Sequence, residues 1–112
     1  MYNSVLLIGR TTEKPTLRKL ETGQTVGHFT LAVQRPYRNA DGNVSVDYIP
    51  CTVWNSVAVN ANSYCEKGSL IAVKGFICQR EEMINFKKES EEFKKKIYSL
   101  DLVVDSIIFL KL

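Results

Sequence analysis

The sequence predicts an all-β fold, a small barrel of five strands with one helix between the third and fourth. Three observations carry that prediction. Segments that alternate apolar and polar residues recur along the chain, separated by breaks rich in Gly, Pro, Asn and Asp. One stretch, 55–65, has helical spacing instead. A chain of 112 residues, 45% hydrophobic and 24% charged, can bury one core without disulfides or metal, so a single domain over residues 1–112 is expected.

Asn3–Arg10 reads as the first strand, and Glu13-Lys14-Pro15 breaks it because proline cannot continue a ladder in mid-sheet. Thr16–Glu21 resumes an extended pattern and Thr22-Gly23-Gln24 supplies turn chemistry. Val26–Gln34 alternates, with Phe29, Leu31 and Val33 on one face and His28, Thr30, Ala32 and Gln34 on the other, which predicts a hairpin with the preceding segment. Pro36 is expected to end the strand and Asp41-Gly42 to turn the chain, leaving 35–43 as a loop. Residues 46–54 form the next strand.

The helix follows. Asn55 or Ser56 can cap it, and Val57, Ala58, Ala61, Tyr64 and Cys65 recur at helical spacing. Gly68 is expected as the left-handed residue just past its end. At about ten residues it would be marginal alone and must pack on the sheet.

Ser69–Gln79 is a fourth strand in which Gly75 allows a bulge or sharp bend. In Arg80–Lys96, six Lys or Arg and five Glu surround sparse apolar residues. A two-stranded ribbon and a charged helical insertion both fit, and the Glu/Lys spacing favours some helix. The run reads as a solvated arm. Ile97–Leu112 is the last strand, bent near Asp105-Ser106. The expected core is Val5, Leu7, Phe29, Leu31, Val33, Ile49, Cys51, Val53, Ala61, Ile71, Val73 and Leu102.

Several function classes are disfavoured. No run of 18 apolar residues is present, so no membrane span is expected. The N-terminus lacks the basic start and small-residue cleavage site of a signal peptide, which points to the cytoplasm. Cys51, Cys65 and Cys78 are odd in number without a Cys-x-x-Cys pair, and read as buried thiols. His28, the single histidine, has no partner at metal or acid–base spacing and reads as a polar strand residue. With no carboxylate cluster on a core strand and no Cys–His pair, neither an enzyme nor a metal or cofactor site is expected. The net charge of +3 is compatible with a polyanionic partner and is weak evidence for one.

The informative stretch is 46–54. Strand parity sends Ile49, Cys51 and Val53 to one face and Tyr48, Pro50, Thr52 and Trp54 to the other. Two amphipathic rings on the outer face suit flat ligands such as nucleobases. They equally suit burial under a loop or in a subunit interface. The neighbouring loop places Arg35 and Arg38 around Tyr37, an arrangement that stacks a base on the ring and reaches phosphates with the arginines. A solvated hairpin tip is the plainer alternative.

Five strands with one helix at this point fit the OB-fold, a Greek-key barrel whose second and third strands and adjacent loops bind oligonucleotides. The chain also resembles bacterial single-stranded DNA-binding proteins. The resemblance lies in Asn3-Ser-Val-Leu-Leu-Ile-Gly-Arg10, in Gly27-His-Phe-Thr-Leu-Ala-Val33 with Arg35-Pro36-Tyr37, and in Asp47-Tyr48 to Val53-Trp54. Tyr64 to Lys67-Gly68-Ser69 and Val103-Val104-Asp105-Ser106 complete it. It spans nearly the whole chain in the correct order. It implies a homotetramer, with a dimer as the alternative, that wraps single-stranded DNA without base chemistry.

By position it implies base stacking on Tyr37, Tyr48 and Trp54 and backbone contacts from Arg35, Lys67 and Arg80, beside Arg38 from the loop reading. Glu82 stands where the family usually bears a further stacking aromatic, and Phe86 is the candidate substitute. The 80–96 hairpin is longer and more charged than usual. The sequence ends at Leu112 without the acidic, phenylalanine-tipped tail that recruits repair enzymes, so that recruitment is not expected of this chain. A rival reading is an OB-fold primosome or conjugation accessory that acts mainly through protein partners.

Overall fold

The structure is a computed structural model that describes residues 1–89 and 91–110; the side chains of residues 86–88 and 93 lie outside that set. The elements are β1 (Val5–Thr11), β2 (Arg18–Lys19), β3 (Thr25–Arg38), β4 (Val44–Trp54), α1 (Asn55–Tyr64), β5 (Leu70–Lys88) and β6 (Glu91–Phe109). Their order in the sheet is β1-β5-β6-β4-β3-β2, and a further β1–β3 pairing closes the ring. Five long strands thus form a barrel, with the two-residue β2 paired to the start of β3. The closure and the parallel β4–β6 pairing are the OB-fold topology.

Alternation builds the wall. Phe29, Leu31, Cys51, Val53, Ile71, Val73, Leu102 and Val104 turn inward and are buried. Ala58, Ala61 and Cys65 from α1 and its end join them, while Val5, Leu7, Val33 and Ile49 pack partly buried at the rim. All of the expected core residues are in this cluster or packed against it; Ala58, Cys65 and Val104 are additions to it, and Val57 and Ile107 to its partly buried rim. Helical spacing had already singled out Ala58 and Cys65.

The bend expected near Asp105-Ser106 is a bulge. Lys74 pairs with Ser106 and Gly75 with Val104, so Asp105 is the extra residue on β6. Gly75 permits it: a Cβ there would collide with the carbonyl oxygen of Val103.

Four local expectations are corrected. Pro36 does not end its strand. The β3 ladder shifts between Gln34 and Arg38, so Pro36 sits in a bulge where no ladder N–H is required, and only 39–43 turn. Neither Asn55 nor Ser56 caps the helix. Trp54 is the N-cap residue, and the Asn55 carboxamide instead accepts the Thr25 N–H at 3.2 Å. Gly68 does adopt positive φ, but in the Glu66–Ser69 turn, beyond the end of α1 at Tyr64.

Lastly, the described residues of Arg80–Lys96 contain no helix. They form a ribbon in which β5 and β6 pair from Gln79↔Leu100 out to Lys88↔Glu91. Glu and Lys that would pair along a helix face pair across the strands, as Glu81 does with Lys96. Lys111 and Leu112, included in the expected last strand, lie outside the described residues.

Gly75→Ala is expected to lower stability by about 1–3 kcal/mol in urea unfolding, because the Val103 carbonyl must move to admit the methyl group. An unchanged midpoint would mean that the bulge has room that the backbone spacing denies.

Candidate nucleic-acid interface

The outer face of β3, β4 and β6 gathers much of the chemistry. Register pairs Val26 with Trp54, His28 with Thr52, Thr30 with Pro50 and Ala32 with Tyr48. β4 and β6 run in parallel, Thr52 beside Val103, which brings Asp101 onto the same face. Tyr48 is 67% exposed and Trp54 37%, so both rings offer surface to solvent. Six residues apart, they stand about 20 Å from one another along the strand and serve separate points of a ligand.

Thr52 forms the floor between them and is only 3% exposed. Its hydroxyl donates to the Asp101 carboxylate, 2.9 and 3.0 Å from the two oxygens. With that proton committed, the 3.3 Å approach of His28 Nδ1 is satisfied by an Nδ1–H donor. Arg80 reaches Asp101 from the ribbon at 3.4 Å and Glu82 at 3.8 Å. A shallow cavity of about 280 Å³ opens above this network, bounded by Thr12, Lys14, Thr16, His28, Thr30, Pro50, Thr52, Arg80 and Asp101. A second, more apolar hollow of about 240 Å³ lies between Tyr48 and Pro50 on one side and Ile77, Leu100 and Leu102 on the other.

The β3–β4 hairpin carries the second group. Tyr37 is 61% exposed. Arg35 makes a two-point bond to Asp47, Nε to Oδ2 at 3.0 Å and a terminal nitrogen to Oδ1 at 2.9 Å. The carboxylate and the neighbouring Tyr37 phenol hold Arg35 more firmly charged than usual, and Arg35 in turn holds the Asp47 carboxyl below its ordinary range. Arg38 donates to the Gly42 carbonyl at 2.8 Å.

Tyr48, Trp54 and Arg80 therefore share one barrel face, while Tyr37, Arg35 and Arg38 lie on the hairpin. Lys67 is exposed in the turn after α1 and makes no ion pair among the described residues. The Phe86 side chain lies outside the described residues. Thr52, Asp47 and Asp101 were not singled out from the sequence. Asp101 did leave a signal, a carboxylate set directly between Leu100 and Leu102.

Among the described residues no group of three or more His, Cys, Asp or Glu side chains could hold a metal ion, and no helix is long and apolar enough to cross a membrane.

An OB barrel with exposed aromatics on its second and third long strands is a ligand-binding module of the oligonucleotide-binding class. Residues 2–110 match the model of the single-strand binding protein family, and the chain belongs to that family. Single-stranded DNA-binding protein B of Bacillus subtilis is 40% identical over 110 residues, covering 98% of this chain and 91% of that protein. The single-stranded DNA-binding protein of Oceanobacillus iheyensis is 39% identical over 111 residues, and this chain spans 65% of its length. Single-stranded DNA-binding protein 3 of Listeria innocua is 38% identical over 111 residues, again with 65% of its length covered.

The thiols differ in environment. Burial, and secondarily the charge of Asp101, pushes the Cys51 thiol up to about 12, and burial followed by the Glu66 charge raises Cys65. Cys78 is only half-buried, where a buried thiol was expected. Under native conditions at pH 8 a thiol reagent should modify Cys78 first, and Cys51 and Cys65 should titrate only after denaturant is added. Rapid reaction of all three in the native state would contradict the buried positions of Cys51 and Cys65.

Proposed function

We propose that this chain binds single-stranded DNA without base-sequence preference, protecting it during replication, recombination and repair in the cytoplasm, with residues 1–112 acting as one OB-fold domain. The observation that carries this reading is the pair of exposed rings, Tyr48 and Trp54, on the outer face of β4 in a barrel of this family. Bases stack on Tyr48, Trp54 and, from the hairpin, Tyr37. Arg35, Arg38, Lys67 and Arg80 are the candidate phosphate contacts. Stacking tolerates any base because every base has a π-face.

Self-association belongs to the same proposal. Leu6, Ile8 and Ile108 are 69%, 56% and 62% exposed, and Ile8 and Ile108 both pair with Ala72 on the intervening strand. This apolar row lies on a part of the barrel wall away from β4 and supports assembly of copies into a homotetramer. Assembly would join the ligand faces of several modestly charged chains into one path.

Oligo-dT titrated at low salt should quench Trp54, the single tryptophan, and Trp54→Ala should cost about 1–3 kcal/mol of binding. The logarithm of the affinity should fall with that of salt by about 0.7 per phosphate neutralised. Duplex bound as tightly as single strand, with no quenching by oligo-dT, would sink the reading. Ile8→Glu should shift the mass measured by light scattering from tetramer toward dimer or monomer; a wild-type monomer at micromolar concentration would refute the assembly.

A further inference from the structure

We infer that Asp47 sets the affinity and salt response of the interface by competing with DNA phosphate for Arg35, an inference that rests on the DNA-binding reading above. Arg35 turns the edge formed by Nε and a terminal nitrogen to the Asp47 carboxylate, at 3.0 and 2.9 Å. A guanidinium grips a phosphate with the same planar fork, so one acceptor excludes the other from that edge. Among the described residues Arg35 is the only hydrogen-bonding partner of the Asp47 carboxylate, and the pair supports no buried structure: both side chains are close to half exposed. The pair is thus solvated and weak enough to break. It also sits beside Tyr37, whose phenol acts on Arg35, so the contested charge lies where the backbone of a base stacked on Tyr37 would run.

Arg80 repeats the arrangement on the barrel face, with Asp101 at 3.4 Å and Glu82 at 3.8 Å. In both places an arginine meets DNA already partnered. A phosphate offered alone exchanges one oxyanion for another and gains little. The exchange proceeds when a neighbouring base stacks at the same time and adds its own free energy. Asp47 is therefore a specificity-determining residue that disfavours anions without unstacked bases.

The test is a double-mutant cycle on the full chain, Asp47→Asn, Arg35→Gln and both together, titrated with oligo-dT over a salt series, with thermal unfolding confirming that each variant is folded. Asp47→Asn should tighten binding by about two- to five-fold at low salt. It should steepen the log–log salt slope by about 0.7, one additional phosphate neutralised. Arg35→Gln alone should weaken binding by about two- to five-fold, because a phosphate contact is lost, and adding Asp47→Asn to it should bring no gain over Arg35→Gln. Unchanged or weaker binding by Asp47→Asn would overturn the inference, making Asp47 a bystander or a support for Arg35. A gain that survives in the double variant would overturn it too, since removing any negative charge would then suffice. Failure of the wild type to bind oligo-dT would instead bring down the DNA-binding reading, and this inference with it.

Discussion

The barrel depends on a short parallel contact. Among the described residues β4 and β6 form ladder pairs only at Cys51↔Leu102, Thr52↔Val103 and Val53↔Val104, and without that seam the antiparallel strands would form an open sheet. The seam has two faces. Inward, it puts Cys51, Val53, Leu102 and Val104 into the core together. Outward, it brings Asp101 to Thr52, which the β3–β4 ladder has already placed beside His28. Core closure and the polar floor of the candidate site are thus two consequences of one register. A slip of one residue in β6 would turn Asp101 into the core and Leu102 out to solvent.

The same seam explains the ribbon. β6 leaves β4 on the N-terminal side of Leu102 but stays paired with β5, so both strands continue past the barrel as a two-stranded arm. An arm with no third strand has no core to pack on, which is why its residues are charged and its apolar side chains sparse. Tyr48 stands on the β4 side of the resulting cleft and Leu100 on the ribbon side. The hollow beside Tyr48 is therefore a product of strand divergence.

Alternation is local, and what depends on it alone was readable: the inward rows of β1, β3, β4 and β5, the parity that exposes Tyr48 and Trp54, and the helix over 55–64. Gly75 and the Asp105 bend were readable as well, because a glycine in an apolar strand and a polar pair in the last one mark irregularity. What escaped depends on which residue faces which across strands. Glu and Lys at helix-like spacing in 80–96 pair equally well across a ribbon, and composition does not decide between them. Pro36 reads as a stop until the bulge that accommodates it is known. What Asp47 and Asp101 pair with became visible only in the fold, Arg35 twelve positions and Arg80 twenty-one positions away.

Those carboxylates bear on how so modest a charge can serve a polyanion. The formal charge is +3, and within it Arg35, Arg80, Lys14 and Lys96 already face acidic partners. Nonspecific attraction to phosphate scales with cations free to displace counterions, so internal pairing suppresses it. The proposed stacking would be untouched by that pairing, because the rings of Tyr37, Tyr48 and Trp54 remain exposed. Weakening the electrostatic contribution while leaving the aromatic one intact shifts the balance toward ligands with unstacked bases, and away from duplex, whose bases are already stacked on one another. Selectivity for single strands can thus come from charge that is withheld as well as from rings that are presented.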